Sequence, residues 1–216
     1  MLFRSGAITA GPLPLADFLR LREQFDRLGN LGIAVRGRCG SVMLFSRRSV
    51  RELGGAVIGV TEQTSTSVVL LRLLLEQRYQ LTPKAYVPGA PEEADAILVI
   101  GDDALRQRAT DRRYPYELDL AFEWWLWQHL PAVFAVWAMR KDAPAADRQQ
   151  LLRALQRQLA VNLPRLGELA AGRAPSLQLP PEAVQAYLQN FIYRLSEPEE
   201  QAIAQFERLA HEHGLL

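Results

Sequence analysis

The sequence predicts a two-lobe α/β protein in which one lobe is inserted into the chain of the other through a double crossover. Three observations lead there. Between about residues 41 and 138, short β-capable runs alternate with helical ones, the pattern of a layered α/β unit with a largely parallel sheet. One of those runs, Ala96–Ile100 (AILVI), is continuously apolar, as strands covered on both faces are. The flanking stretches read as mostly helical and have to pack together beside the inserted unit. The expected division is residues 1–40 for part of the first lobe, 41–138 for the second α/β lobe, and 139–216 for C-terminal helices returning to the first.

Taken in order, Pro14 to Leu28 places Leu15, Phe18, Leu19 and Phe25 at a helical period with a break in the middle. Gly29, Gly32, Gly37 and Gly40 punctuate a loop around a short strand, Ile33–Val35. Ser41–Ser46 and Ala56–Val60 read as strands, with Ser49 capping a helical turn between them. Ser65 to Gln77 carries leucine and valine on most sides and so predicts a buried helix. Lys84–Val87, Ala96–Ile100 and Ala132–Met139 are the remaining strands of the second lobe, and Glu117–Gln128 is an aromatic-rich helix. Beyond Arg140, Asp142 can cap a helix through Leu151, Leu152, Leu155 and Leu159, and Pro181 suits a helical first turn. Ser196 and Glu199 form a capping box for the last helix, which Gly214 ends.

Composition removes several function classes. The chain has 216 residues, 49% apolar and 23% charged, which is the profile of a globular protein. With 25 basic and 24 acidic residues the net charge is +1, so no whole-chain field attracts nucleic acid, and any anion site has to be built locally. One cysteine, Cys39, allows neither an intrachain disulfide nor a thiolate metal cluster, and the three histidines have no metal-ligand spacing. No metal and no cofactor are expected. No apolar run reaches the roughly 18 residues that span a bilayer, and Met1–Ser5 is too short for a signal peptide, so the expected setting is cytoplasmic, without a membrane partner. Oligomeric state is not legible.

The most informative stretch is Gly59 to Val68, where a strand ends, a hydroxyl-rich loop follows and a buried helix begins near Ser65. Unpaired N–H groups at a helix start favour a carboxylate or phosphate, and Thr64, Ser65, Thr66 and Ser67 can add donors. The plainer alternative makes one hydroxyl an N-cap and the others solvated. There is no P-loop lysine and no GxGxxG. Gly101-Asp102-Asp103 also joins a strand to a helix. Either aspartate can be a helix cap, or Asp102 can face a cleft as a base. Trp124, Trp125, Trp127 and Trp137 cluster with Phe122 and Phe134, as core or as a pocket wall. His129 has no nucleophile partner at recognisable spacing, and Cys39 reads as a small loop residue.

Several of these segments, in this order, resemble chorismate dehydratase of the futalosine route to menaquinone. They are Thr66-Ser67-Val68 heading the leucine-rich helix, Ala94-Asp95-Ala96 leading into Ile100 to Leu105, Asp119-Leu120, Leu130 to Ala138, and Tyr193-Arg194-Leu195 before the capped helix. Gly6 to Leu13 and Gly40 to Ser46 resemble the family upstream, so the likeness runs almost from residue 6 to the end. It implies a type II periplasmic-binding-protein-like fold and cofactor-free dehydration of chorismate to 3-[(1-carboxyvinyl)oxy]benzoate. On matching positions it implies Ser41, Thr66 and Ser67 as substrate contacts, with Asp102 the weaker catalytic candidate. The loop Arg36-Gly37-Arg38-Cys39-Gly40 departs from the family's acidic, Gly-Pro-containing one. The lyase acting on cyclic dehypoxanthine futalosine is less similar, having histidine and glutamate where Gly101 and Asp102 stand.

Family members begin with a strand and a Leu-Asn-containing loop whose asparagine lies in the active site, and no segment here matches it. The expectation is a first lobe lacking its opening elements, with residues 1–40 poorly anchored and turnover undetectable in this chain alone. The alternative function is a non-catalytic small-carboxylate-binding domain on the same fold. Conversion of chorismate separates the two.

Overall fold

The computed structural model describes residues 8–61, 65–107 and 113–216. Its first lobe opens with strand β1 (Ala10–Pro14), helix α1 (Leu15–Arg20) and strand β2 (Phe25–Val35). The chain then crosses into the second lobe: β3 (Val42–Ser46), β4 (Val57–Val60), α2 (Ser65–Leu73), β5 (Ala85–Pro88), β6 (Ala96–Ile100), α3 (Gly101–Gln107), β7 (Tyr116–Asp119) and α4 (Leu120–Gln128). It returns through β8 (Ala132–Arg140) and finishes with α5 (Ala145–Asn162), α6 (Leu166–Leu177), α7 (Pro181–Gln189), β9 (Phe191–Arg194) and α8 (Glu197–Glu212). A four-stranded sheet has the order β1-β8-β2-β9 and a five-stranded one the order β5-β4-β6-β3-β7. This is a two-lobed α/β fold with two crossovers, at Arg36–Ser41 and His129–Pro131.

The expected helical period across Pro14–Leu28 resolves differently. Pro14 closes β1, α1 lasts six residues, and Phe25 already belongs to β2. Phe25 and Leu28 are three apart, as on a helix face, yet pairing with β8 wins: Phe25 stands opposite Arg140 and Arg27 opposite Ala138. The register then shifts before Gly32, and Gly29 supplies a φ of 64° within the irregular stretch.

Strand Ala132–Met139, expected in the second lobe, is central in the first, between β1 and β2. The cause lies at the end of α4. His129 adopts a left-handed φ of 57° and donates its N–H to the Trp125 carbonyl, and Pro131 prevents the helix from continuing. The chain therefore leaves the second lobe there. Residues 8–40 are not poorly anchored as expected, since β1 and β2 flank β8, and Leu13, Leu15, Ala16 and Leu28 are wholly buried.

The five-stranded sheet is mixed rather than largely parallel. β4 runs parallel to β5 and β6, whereas β3 is antiparallel to β6 and β7 because it enters from the other lobe at the edge where β6 ends. Glu117–Asp119 belongs to β7 rather than to α4, because Asp119 caps the helix by accepting from Ala121 and Phe122 N–H. Asp142 pairs with Arg140 instead of capping α5, which follows Pro144. The Ser196–Glu199 capping box forms as the sequence predicts, and Ser49, expected to cap a helical turn, does so in a box with Glu52.

One continuous core joins the lobes. The α2 leucines pack with Leu15 and Ala16 of α1, Val136 of β8, Trp124 of α4 and Phe206 of α8. Trp124 is buried, donates its indole N–H to the Pro131 carbonyl, and meets Trp127 and Phe206 edge-on at 6.0 and 6.2 Å. Of the sequence's two readings for the tryptophan cluster, Trp124 takes that of core.

Candidate active site

β3 starts where β6 ends, Val42 facing Ile100, and β4 is parallel to β6, so the start of β3 and the ends of β4 and β6 share one sheet edge. With one strand between them, β3 and β4 lie roughly 10 Å apart. Ser41 heads β3 at this edge, Thr61 follows β4, Gly101 opens α3, and the start of α2 follows after residues 62–64. Thr64, one of the hydroxyls in the expected anion loop, lies outside the described residues.

Ser41 is buried, and its hydroxyl accepts from the Tyr187 hydroxyl at 3.0 Å and lies 3.2 Å from the Cys39 sulfur. Its carbonyl accepts from Gly101 N–H at 2.7 Å, tying β3 to the start of α3. The preceding loop is pinned by a single carboxylate: Asp119 Oδ2 accepts from Cys39 N–H at 2.9 Å and Gly40 N–H at 2.7 Å, while Oδ1 holds the start of α4. Burial pushes the Cys39 thiol up to about 11 and the Tyr187 phenol up to about 12. Both stay protonated at neutral pH, so Cys39 is no thiolate nucleophile and Tyr187 is a neutral donor.

Thr66 and Ser67 are also buried, in the first turn of α2. Thr66 Oγ1 accepts from Ala16 N–H at 3.1 Å, so this hydroxyl satisfies an otherwise orphaned donor of α1 in the other lobe. The Ser65 hydroxyl oxygen is enclosed without a hydrogen-bond partner among the described residues. The start of α2 thus gathers the hydroxyls of Ser65, Thr66 and Ser67 in a helical first turn, a place that favours a carboxylate.

Asp102 is in a different environment. Its side chain is 41% exposed and pairs with the guanidinium of Arg173, joining α3 to α6, while Asp103 pairs with Arg106 at 2.7 Å. Neither is an enclosed base. His129 is an exposed turn residue. Among the described residues, no group of three or more His, Cys, Asp or Glu is placed to hold a metal ion.

Two cavities open along this edge. One of about 690 Å³ is lined by Thr61, Pro88, Gly89, Ile100 and Asp103 among others. The second, about 560 Å³, has Gly40, Cys39, Tyr187 and Asn190 on its polar side and Leu105 and Leu179 on its apolar side. Both are of small-molecule size. The sequence reading missed Tyr187 and the anchoring role of Asp119. An aspartate before an aromatic helix is a cap signal that could have located the second. Nothing in the sequence marks the first, which lies 146 positions from Ser41.

The sequence pattern of the menaquinone-biosynthesis family matches residues 1–212. The chain belongs to this family. The menaquinone-biosynthesis chain is 32% identical to chorismate dehydratase of Thermus thermophilus, over 95% of its own length and 80% of that enzyme's. Its fold matches the crystal structure of an Archaeoglobus fulgidus protein with a TM-score of 0.78 at 20% identity, covering 100% of this chain and 84% of that one. It also matches the ligand-binding component of an ABC-type import system from Staphylococcus aureus, with a TM-score of 0.61 at 11% identity, covering 100% and 77%. At these identities the two structures establish the periplasmic-binding-protein-like architecture. Among the described residues, no helix is long and apolar enough to cross a membrane.

Proposed function

We propose that the protein is a cytoplasmic hydro-lyase that converts chorismate to 3-[(1-carboxyvinyl)oxy]benzoate and water, without metal or organic cofactor, as a step of menaquinone biosynthesis. The observation that carries this reading is the 32% identity to a chorismate dehydratase along 95% of the chain. The geometry supports it. Chorismate is a dicarboxylate, and the start of α2, with Ser65, Thr66 and Ser67, offers N–H and hydroxyl donors to one carboxylate. Ser41, held by Tyr187 and by the Asp119-anchored loop, is the second polar contact at the same edge.

The chemistry asks little of a protein base. A ring proton and the neighbouring hydroxyl leave together as water, and the ring becomes aromatic, so the site has mainly to orient the substrate and keep bulk water out. Asp119 is filled by backbone donors and Asp102 by Arg173, which leaves the substrate's own side-chain carboxylate to take the proton. The test is incubation of purified protein with chorismate, followed chromatographically for the aromatic enol ether, beside titration of chorismate by calorimetry. Product formation with saturable binding is expected, in place of the undetectable turnover anticipated from the sequence, because β1 and β2 are anchored on β8. A folded protein that binds chorismate without converting it is the carboxylate-binding alternative, and one that does neither overturns the assignment.

A further inference from the structure

Arginine supplies nearly all the positive charge of this chain, and most described arginines are engaged by carboxylates, carbonyls or rings. Among the described residues Arg51, Arg153, Arg157 and Arg194 have no such partner. All of these except Arg51 line a single pocket of about 420 Å³, completed by Gln156 and Ala160. Arg153 and Arg157 stand one turn apart on α5, and Arg194 ends β9, the edge strand of the first-lobe sheet. No acidic residue lines the pocket, and none of its lining residues borders either cavity at the candidate active site.

Like charges gathered without a counter-charge raise one another's energy, and an anion among them relieves it. A guanidinium fork matches phosphate oxygens two at a time, and three arginines at one site suit a group with several such oxygens better than a single carboxylate. The pocket's volume falls within the range of small-molecule sites. We propose that Arg153, Arg157 and Arg194 form a second binding site, apart from the cleft, for a small molecule bearing a diphosphate or related polyphosphate group.

The probe is inorganic pyrophosphate, titrated by calorimetry into the full chain at low salt, with orthophosphate and a short DNA duplex in parallel. Expected is saturable pyrophosphate binding, weaker for orthophosphate, lost by about tenfold in each of Arg157→Gln and Arg194→Gln, and unchanged in Arg51→Gln and Tyr187→Phe. Melting curves of the variants confirm that these exposed substitutions leave the fold intact. Absence of saturable pyrophosphate binding overturns the proposal. So does binding that survives replacement of all three arginines by glutamine, or DNA binding that depends on them in the absence of pyrophosphate binding.

Discussion

Replacing Asp119 with alanine removes one carboxylate that accepts four backbone N–H groups, from Cys39, Gly40, Ala121 and Phe122. Loss of the helix cap costs about 1 kcal/mol. The buried Cys39 N–H, left without an acceptor, adds about 1–3 kcal/mol, and the half-buried Gly40 N–H adds less because water reaches it. A loss of about 3 kcal/mol is expected, which for a chain of this size lowers the melting temperature by roughly 6–12 °C. Asp119→Asn keeps one oxygen acceptor and can serve the loop or the cap but not both, so it should fall between alanine and the parent. Function should suffer too, because the released loop carries Ser41, and KM for chorismate should rise in the variants more than kcat falls. Calorimetric melting and steady-state kinetics on the same preparations decide the matter. A melting temperature within about 2 °C of the parent, with KM unchanged, would refute the claim that this carboxylate organises the site.

Tyr187→Phe keeps the ring and deletes the hydrogen bond to Ser41, so chorismate affinity should drop by about 1 kcal/mol, roughly fivefold in KM, with little change in melting. Thr66→Ala should cost about 1 kcal/mol of stability, read by urea unfolding, because Ala16 N–H loses its acceptor; Ser67→Ala should leave stability nearly unchanged while weakening chorismate binding. Cys39 ionises at about 11 when folded against 9.0 ordinarily, so the unfolded chain releases its proton first, and stability falls as pH rises from about 9 to 11. Urea unfolding across that window should show a smaller loss in Cys39→Ala than in the parent. Gly59→Ala places a Cβ 2.5 Å from the Gly89 carbonyl oxygen, which pushes the chain after β5 off the face of β4 and should cost about 2 kcal/mol or more, read by thermal melting.

The elements that were legible are those whose signal is local. Ala96–Ile100 is apolar throughout because it is covered on both faces, and the Ser196–Glu199 box closes over three residues, so both could be read directly. The start of β2 could not, because Phe25 and Leu28 have a spacing that fits a helix face, and only hydrogen bonds to β8 decide between the two. β8 itself reads as a strand, but its lobe is set by the turn at His129 and by partners about 100 or more positions upstream. The site divides along the same line. Ser41, Thr66 and Ser67 stand at strand and helix starts that sequence can mark, whereas the groups that hold Ser41 come from Asp119 and Tyr187, 80 and 146 positions from their partners. Asp102 illustrates the reverse: a promising position at a strand end, neutralised by an arginine on a helix that the sequence gives no reason to bring there.

The central place of β8 has a consequence for how the chain acquires its shape. β1 and β2 do not pair with each other, so the opening elements cannot close as a hairpin and must wait for a strand that leaves the ribosome roughly 100 residues later. The five-stranded sheet, by contrast, draws on one contiguous stretch from Val42 to Asp119 and can assemble while synthesis continues. Loop closure over long separations is slow, and unpaired strands are the segments that stick to other chains in the meantime. Refolding should therefore proceed in two phases, the inserted lobe first and the discontinuous one second. The interval between them is when a nascent chain most needs a chaperone.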